Sequence, residues 1–385
     1  MTGNPVPDCM SAMPLRCSAG LLEPVRRSDY SGDMESAFID WLRQRQAAHP
    51  AIELGIGDDA AVIRVTPGSR IVVTTDTLTD GVDFHLLRHD PHSAQPSGRQ
   101  PDIAVATAAQ AGFKALAVNL SDLAAMAARP IAAFISLVLP RQGAAEIARA
   151  ILEGMAPLAE EYQLAIAGGD TNTWDQGLVI GVTAIGETES IRLPDGRVDQ
   201  GVWRRSGAQP GDLIFVTGEF GGSLLSRHLA PQARVREARY LARNYTIHAA
   251  TDASDGLSLD LSHIAESSGC AAQIELDMVP IAADARVPLV GSSHDWSPLM
   301  RAMGDGEDFE LILAVPPHEA ERLLSDRGIG VRLTCIGRFV AGSGLWARGS
   351  AFPESWLNRQ VVDRSDLDGG GAAWRSLSPT GFRHR

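Results

Sequence analysis

Long apolar runs and cysteines are both scarce in this sequence. No apolar run approaches the roughly 20 residues that a membrane-spanning helix needs. The four cysteines are Cys9, Cys17, Cys270 and Cys335, and no two of them form a CxxC pair. That usage gives no case for a zinc site or a disulfide framework, and it is typical of proteins of the reducing cytoplasm. We therefore expect a cytoplasmic protein.

Positive charge is also in short supply. The 385-residue chain has 34 Lys and Arg against 47 Asp and Glu, a formal net charge of −13. Nucleic acids and acidic membranes are bound mainly through Lys and Arg, so neither is an expected partner. An acidic protein can still bind a phosphorylated ligand if a metal ion lies between them. Hydrophobic residues make up 44% of the chain, which is enough for folded domains.

The familiar nucleotide-binding motifs are missing. There is no GxxxxGK[ST] phosphate loop and no GxGxxG followed by an acid in the right context. The catalytic-loop and DFG signatures of protein kinases are absent too. The pattern disfavours a Rossmann fold, a P-loop enzyme and a protein kinase.

Composition divides the chain into four parts. Residues 1–34 are rich in Pro, Ser and Gly, and we interpret them as a disordered extension. A start of translation at Met34 is one hypothesis, because the helical pattern begins there. Residues 35–190 and 200–345 are predicted to form two domains, separated by a polar, turn-rich stretch. Residues 346–385 form a tail without a clear assignment.

Strands and helices alternate without a strict βαβ period. That mixture predicts an α+β fold with mixed or antiparallel sheets. Residues 103–128 are predicted to be helical but interrupted at VNLSDLAAM, and LAIAGGDT is predicted to be a strand that ends at its glycines and acid. Residues 88–101 are interpreted as an inserted loop.

Acids recur beside glycines and hydroxyl residues throughout the chain. They are Asp58 and Asp59, Asp76, Asp122, Asp170, Asp252 and Asp255, and Glu307 and Asp308. Any one of them is most simply a turn residue or a helix cap. Caps do not explain the repeated glycines and hydroxyls of the whole set.

Convergence of these acids would be costly without a cation. Two like charges 4 Å apart repel by about 4 kcal/mol at an effective dielectric constant near 20. Mg²⁺ removes that cost, takes oxygen ligands and shares substrate phosphates. Phosphoryl transfer depends on this kind of arrangement, since metals and positioning stabilise its transition state. The set therefore indicates a magnesium-dependent phosphoryl-transfer site.

Seven segments, in order, resemble the thiamine-monophosphate kinase family over residues 35–338. They are GIGDDAAVI, TTDTL, KALAVNLSDLAAM, GGDT, RRSGAQPGD, DASDGL and GEDFEL. Each is weak alone, but the ordered set is specific. The wider superfamily is similar to aminoimidazole ribonucleotide synthetase, selenophosphate synthetase and a hydrogenase maturation factor.

The resemblance implies an N-terminal α/β domain whose sheet pairs with a second subunit, and a C-terminal α+β domain. It implies a homodimer that transfers the γ-phosphoryl group of ATP directly to thiamine monophosphate, which gives thiamine diphosphate. Several Mg²⁺ ions and no dedicated catalytic base are implied. Two alternatives stay open: the same chemistry on a different phosphate or heterocyclic acceptor, and a non-catalytic nucleotide-binding paralogue.

The resemblance also implies roles for individual residues. The implied metal ligands are Asp59, Thr74, Thr75, Asp76, Asp122, Asp170, Asp252 and Asp255. The implied ATP-binding residues are Gly169, Asp170, Arg205 and Ser254. The implied substrate-binding residues are Asp83, Glu307 and Phe382. Asp58 is interpreted as a cap or buttress of the turn beside Asp59.

This sequence departs from the family pattern at a few positions. Asp83 stands where the family has a substrate-contacting histidine. His85 could substitute for it, because residues 83 and 85 share a face if both lie in one strand; a surface position for His85 is equally compatible with the sequence. The GGED of the family is GDGED here, which adds Asp305. Trp374 is the alternative to Phe382 as the aromatic that stacks on the substrate.

Overall fold

The computed structural model describes residues 41–44, 48–56, 60–87, 104–189, 191–192, 198–199, 201–225, 227–287, 297–350 and 374–381. The α-helices are α1 (Ala108–Ala125), α2 (Ala144–Glu161), α3 (Val235–Asn244), α4 (Leu257–Ser268), α5 (Pro298–Gly304) and α6 (Ala320–Ser325). Short 3₁₀ helices cover Ser223–Leu225, Arg227–Leu229, Leu276–Met278, Ala283–Arg286 and Pro317–Glu319. Residues 41–44 are also helical.

The strands of the first half are β1 (Ile52–Leu54), β2 (Val62–Ile63), β3 (Ile71–Thr79), β4 (His85–Leu86), β5 (Val105–Ala106), β6 (Arg129–Pro140), β7 (Ala165–Trp174) and β8 (Val179–Glu187). They are followed by β9 (Ile191–Arg192) and β10 (Val198–Asp199). The second half contains β11 (Leu213–Thr217), β12 (Ala249–Asp252), β13 (Ala271–Glu275), β14 (Leu311–Val315), β15 (Leu333–Val340), β16 (Gly344–Arg348) and β17 (Arg375–Leu377).

Two mixed sheets organise the two halves. The first has the order β3-β8-β6-β7, in which only β6 and β7 are parallel. The second has the order β12-β14-β11-β15-β13-β16-β17, in which only β13 and β16 are parallel. The predicted α+β class with mixed sheets is confirmed. The domain limits near residues 190 and 200 stay a prediction, as does pairing of the first sheet in a dimer.

Helix α1 is the element that joins the two halves. Its N-terminus is closed by a capping box between Thr107 and Gln110. Its small residues let α2 approach closely, since a Cβ on Gly112 would lie 2.1 Å from the carbonyl oxygen of Ile151. It also packs against α3, and Leu116 shares one apolar core with Leu241. The polar ends of α1 are therefore held at the boundary between the domains.

Two predictions about local structure were wrong. Helix α1 is not interrupted at VNLSDLAAM but runs through Asp122 to Ala125. Strand β7 does not end at its glycines and acid but runs on to Trp174. Packing of a buried helix outweighs local propensity in α1, whereas β7 is extended by its pairing with β6, which continues to Trp174. The predicted insertion at residues 88–101 and the extension at residues 1–34 lie outside the described residues.

Candidate functional site

A cavity of about 170 Å³ lies where the two domains meet. Its walls carry six acids, namely Asp76, Asp83, Asp122, Asp252, Asp255 and Glu307. The first three belong to the N-terminal half of the chain and the other three to the C-terminal half. The structure therefore brings together most of the acids that the sequence singled out.

Strand β3 and helix α1 build the N-terminal wall. Burial alternates along β3, where Val72 and Leu78 are buried, and Thr74 and Asp76 share their face of the strand. The hydroxyl group of Thr74 donates a hydrogen bond to Oδ2 of Asp122, which lies in the last turn of α1. A strand and a helix thus converge on one point.

Thr75 points the other way. Its Oγ1 lies 3.1 Å from the carbonyl oxygen of Val182 and 3.1 Å from Oγ1 of Thr183, both on the neighbouring strand β8. Strand alternation explains this, because residues 74 and 75 face opposite sides of a sheet. The structure does not bring the Thr75 hydroxyl to the cavity with Thr74 and Asp76.

Strand β12 and the loop before α4 build the C-terminal wall. Asp252 ends β12, and its Oδ2 accepts a hydrogen bond of 2.6 Å from the Ser121 hydroxyl of α1. The loop beyond is shaped by Asp260, whose Oδ2 accepts hydrogen bonds of 3.0 Å from the amides of Asp255 and Gly256. Sequence reasoning missed Ser121 and Asp260, and the only available signal was their position beside acids already singled out.

Three carboxylates at the cavity, Asp122, Asp252 and Asp260, have pKa values that are raised in the absence of a cation. Burial, and then the charge of Asp122, raise the pKa of Asp252 to about 7. Burial also raises the pKa of Asp122, although the Thr74 hydroxyl and the charge of Arg205 act against it. Burial, with the charges of Asp252 and Asp255, raises the pKa of Asp260 to about 8. The site therefore favours any added positive charge.

Within the described part of the chain, no three His, Cys, Asp or Glu side chains stand close enough together to hold a metal ion. The donor set still fits Mg²⁺ on its chemistry. All of the donors are oxygens, and Mg²⁺ is usually held by one or two carboxylates while waters and substrate phosphates complete its shell. The pair Asp122 and Asp252, with hydroxyl groups at Thr74 and Ser121, satisfies that requirement.

The floor of the cavity contains a buried ion pair. Lys114 Nζ lies 2.7 Å from Glu307 Oε1, and His228 Nδ1 lies 2.9 Å from Glu307 Oε2. Burial would raise the pKa of Glu307, but the His228 hydrogen bond and the Lys114 charge outweigh it and lower that pKa. Glu307 is therefore an anion whose charge is already balanced. Sequence reasoning missed both of its partners.

Arg205 and Ser254 lie beside the acids of the C-terminal wall. Ser254 lines the cavity, and Arg205 Nε donates a 3.2 Å hydrogen bond to Thr251 Oγ1, next to Asp252. Arg205 is an exposed residue, and its charge reaches Asp122 and Asp252. A guanidinium in that position can pair with phosphate oxygens.

Gly169 and Asp170 lie elsewhere. They belong to β7, which is at the opposite edge of the four-stranded sheet from β3 and Asp76. A Cβ on Gly169 would lie 2.0 Å from the carbonyl oxygen of Ile135 on β6, so strand packing alone requires this glycine. Within one chain the structure does not bring either residue to the cavity.

The remaining predicted residues are placed as follows. Asp83 lines the cavity, but residues 81–83 form a turn, so the premise that Asp83 and His85 share a strand was wrong. Trp374 is buried with Arg348 Cζ 4.5 Å from its ring centre. Asp58, Asp59 and Phe382 lie outside the described residues.

The C-terminal segment packs against helix α4 and against the loop that carries Asp255. The amide of Thr380 donates a 3.0 Å hydrogen bond to Ser258 Oγ, and the Ser258 hydroxyl donates in return to the carbonyl oxygen of Thr380 at 2.6 Å. A Cβ on Gly381 would lie 2.7 Å from the carbonyl oxygen of Asp255. The chain thus passes beside the Asp255 loop immediately before Phe382.

Comparisons with known proteins agree with this geometry. The family model "AIR synthase related protein, N-terminal domain" matches residues 57–188, and the model for the C-terminal domain matches residues 209–347. The thiamine-monophosphate kinase of Rhodopirellula baltica is 43% identical over 323 residues, which cover 82% of this chain and 92% of that protein.

Solved structures give the same result. The crystal structure of thiamine-monophosphate kinase from Stenotrophomonas maltophilia has a TM-score of 0.64 at 33% identity and covers 82% of this chain and 97% of that one. The structure of AaThiL complexed with AMPPCP and TMP has a TM-score of 0.57 at 26% identity and covers 74% of this chain and 85% of that one. The resemblance predicted from the seven segments is confirmed, and the chain belongs to the thiamine-monophosphate kinase family of AIR synthase related proteins.

Proposed function

We propose that this protein is a kinase that transfers the γ-phosphoryl group of ATP to thiamine monophosphate and forms thiamine diphosphate. The observation that carries the proposal is the convergence of acids from both domains on one cavity, at positions that match the family segments. The relatives are thiamine-monophosphate kinases, and AaThiL is complexed with AMPPCP and TMP. Both fit a reaction in which two phosphorylated molecules meet.

Mg²⁺ is the proposed metal, and several ions are expected. Asp59, Thr74, Thr75, Asp76, Asp122, Asp170, Asp252 and Asp255 are the proposed ligands. Bound Mg²⁺ would neutralise the phosphates and stabilise the charge that develops in transfer. Asp122 and Asp252 are the best supported, because both line the cavity and accept a hydroxyl hydrogen bond, with Asp252 buried and Asp122 half-buried. Thr75 and Asp170 lack that support within one chain.

The nucleotide is proposed to bind near Gly169, Asp170, Arg205 and Ser254. Arg205 and Ser254 flank the acids at the C-terminal wall, where a guanidinium and a hydroxyl can hold phosphate oxygens. The acceptor is proposed to bind at Asp83, Glu307 and Phe382, of which Asp83 and Glu307 line the cavity. No dedicated catalytic base is proposed, because the phosphate of the acceptor is already anionic.

A homodimer in the cytoplasm is the proposed state of the protein. The face of the first sheet away from α1 exposes apolar side chains, including Val73 (58% exposed) and Ile71 (45%), and a second copy would cover them. Free Cys270 and Cys335 agree with a reducing compartment. Among the described residues, no helix is long and apolar enough to cross a bilayer. The net charge of −13 supports small-molecule rather than nucleic-acid partners.

A chromatographic assay for thiamine diphosphate tests the proposal. Purified protein is incubated with ATP, Mg²⁺ and thiamine monophosphate, and Asp122→Ala serves as the inactive control. We expect product from the wild type only. No product from a wild type that still binds ATP would overturn the proposal and favour a different acceptor or a non-catalytic relative.

A further inference from the structure

Lys114 is the single lysine among the 34 Lys and Arg residues of this chain. It lies on the buried side of α1 and has no exposed surface. The other 33 of these residues are arginines. Lysine and arginine are not interchangeable, since lysine presents a compact ammonium and arginine a wide planar fork. A lone lysine in the most buried cationic position therefore points to a requirement for an ammonium group.

The surroundings of Nζ explain that requirement. Lys114 Nζ lies 2.7 Å from Glu307 Oε1, 3.1 Å from His228 Nδ1 and 3.3 Å from the carbonyl oxygen of Asp83. Two of these neighbours, Glu307 Oε1 and the carbonyl oxygen of Asp83, accept hydrogen bonds from the ammonium, whereas His228 Nδ1 donates to Glu307 Oε2 at 2.9 Å. Lys114 is fully enclosed, and a guanidinium is wider than an ammonium, so we expect arginine to fit this position poorly.

Glu307 is held in a conformation that it would not adopt unaided. Its φ angle is 54°, in the left-handed region that side chains other than glycine rarely occupy. Its amide donates a 2.7 Å hydrogen bond to the carbonyl oxygen of Ser254, and the amide of Phe309 donates to Ala253 at 2.9 Å. The position of Glu307 is thereby coupled to the loop that carries Ser254 in the cavity.

We propose that Lys114 is a positioning residue of the phosphoryl-transfer site, and that its ammonium fixes Glu307 across the domain boundary for acceptor binding. This inference rests on the proposed function. Lys114 acts through Glu307, because Glu307 lines the cavity whereas Lys114 is enclosed behind it. Removal of the ammonium leaves a buried carboxylate beside His228 alone and releases the Ser254 loop.

Steady-state kinetics of Lys114→Met and Lys114→Arg test the proposal. Each variant should raise the KM for thiamine monophosphate by about tenfold or more and the KM for ATP by less than about threefold, because a lost buried ion-pair partner acts locally. Lys114→Met combined with Glu307→Gln should be no worse than Glu307→Gln alone, since both act on one contact. Arg239→Met is the matched control, as Arg239 forms a cross-domain ion pair with Glu189 outside the cavity.

Three kinetic outcomes would overturn the proposal. The first is that Lys114→Met leaves the KM for the acceptor unchanged and only lowers the melting temperature, as Arg239→Met does. The second is full activity in Lys114→Arg. The third is an independent, multiplicative effect of Lys114→Met in the Glu307→Gln background.

A second measurement works without turnover. Lysine labelled with ¹⁵N at Nζ gives one side-chain signal, because the chain has one lysine. We expect a protected ammonium signal in the wild type and in Arg239→Met, and its loss through solvent exchange in Glu307→Gln. A signal unchanged by Glu307→Gln would overturn the positioning role. A wild type that gives the expected signals but forms no thiamine diphosphate would refute the proposed function instead.

Discussion

Two acidic regions of this protein lie close together and are neutralised in different ways. In the cavity, the hydrogen bonds to Asp122 and Asp252 come from the hydroxyl groups of Thr74 and Ser121. In the loop at residues 305–310, three acids each pair with an arginine: Asp305 with Arg301, Asp308 with Arg227, and Glu310 with Arg234. Among the described contacts, arginine side chains bond directly to the acids of the second region, whereas Arg205 acts on Asp122 and Asp252 through its charge and bonds to Thr251 instead.

The arginine-paired acids hold the loop at residues 305–310 in place, whereas the hydroxyl-bound acids of the cavity are available to bind a ligand. Asp308 and Asp305 also accept hydrogen bonds from the amides of Gly221 and Gly222, so they fix the turn beneath the cavity. Burial raises the pKa of Asp308 to about 8 in spite of Arg227, so that pair is not a strong source of stability. The hydroxyl-bound acids leave the cavity with a deficit of positive charge that a metal–nucleotide complex would fill.

The largest expected effect is that of Asp252→Asn. The substitution removes a carboxylate from the cavity without changing the size of the side chain, and we expect kcat to fall by about a thousandfold. Without Mg²⁺ the melting temperature should stay level or rise, because a buried, hard-to-ionise acid is gone. Product formation and calorimetry measure the two effects. Asp175→Asn is the control, since its side chain is 81% exposed.

Retained turnover in Asp252→Asn would remove Asp252 from the proposed metal ligands. A lower melting temperature without Mg²⁺ would mean that Asp252 stabilises the fold in the same way as the acids of the loop at residues 305–310. Either result would break the distinction between the two regions.

The reverse pattern is expected for Arg234→Met. This variant leaves Glu310 buried without its guanidinium, which should lower the free energy of unfolding by about 3 kcal/mol. Below the melting temperature, kcat should stay close to that of the wild type, because Glu310 and Arg234 lie outside the cavity. Urea unfolding and low-temperature kinetics measure the two effects.

Arg64→Met is the control for Arg234→Met, because Arg64 and its partner Glu53 are both well exposed and should add no measurable stability. If Arg234→Met folds and loses kcat at low temperature, the paired acids belong to the catalytic site as well. The distinction between structural acids in the loop and ligand-binding acids in the cavity would then not hold.

Sequence reasoning predicted the members of the cavity better than their structural settings. Asp76, Asp122, Asp252 and Asp255 converge as predicted, since each belongs to a segment whose glycines and hydroxyl residues have no other common explanation. The predicted break at Asp122 was wrong because burial of α1 on both sides outweighs the polar residues of its last turn. Their roles as ligands stay a prediction.

Contacts between distant parts of the chain could not be predicted. Lys114 and Glu307 are 193 residues apart, and no periodicity reports such a pair. Asp170 shows the opposite problem, because its segment matches the family while the strand order places it at the far edge of the sheet.

A smaller effect is expected for Ser121→Ala, which tests the hydroxyl group at the centre of the comparison. The variant removes the 2.6 Å hydrogen bond to Asp252 across the domain boundary. We expect the Mg²⁺ concentration for half-maximal rate to rise by about tenfold, the usual scale for one hydrogen bond to a charged group. Ser262→Ala is the control, since that hydroxyl bonds within its own helix. An unchanged Mg²⁺ dependence would show that Asp252 needs no fixed orientation.

The smallest effect is expected for Glu189→Gln, which changes an arginine-paired acid outside the cavity. Burial would raise the pKa of Glu189, but hydrogen bonds and charge from Arg239 and Arg243 outweigh it and lower that pKa below its ordinary value of 4.5. A lowered folded-state pKa stabilises the fold above the unfolded-state pKa, and the gain is lost as the pH falls through the folded-state value. Glu189→Gln should therefore cost about 1 kcal/mol or less near neutral pH, because the partly exposed pair is screened by solvent.

The cost of Glu189→Gln should fade as the pH falls below 4.5 and through the lowered folded-state pKa of Glu189, because protonation then removes the same charge from the wild type. Urea unfolding of both proteins at neutral and acid pH measures the gap, and a gap that persists in acid would contradict the assigned sign. Glu189 is the converse of Asp252, whose pKa is raised to about 7 by burial and a neighbouring acid. The fold loses stability when Glu189 is protonated, whereas protonation of Asp252 relieves its repulsion from Asp122, and this opposite response is what favours an added cation beside Asp122 and Asp252.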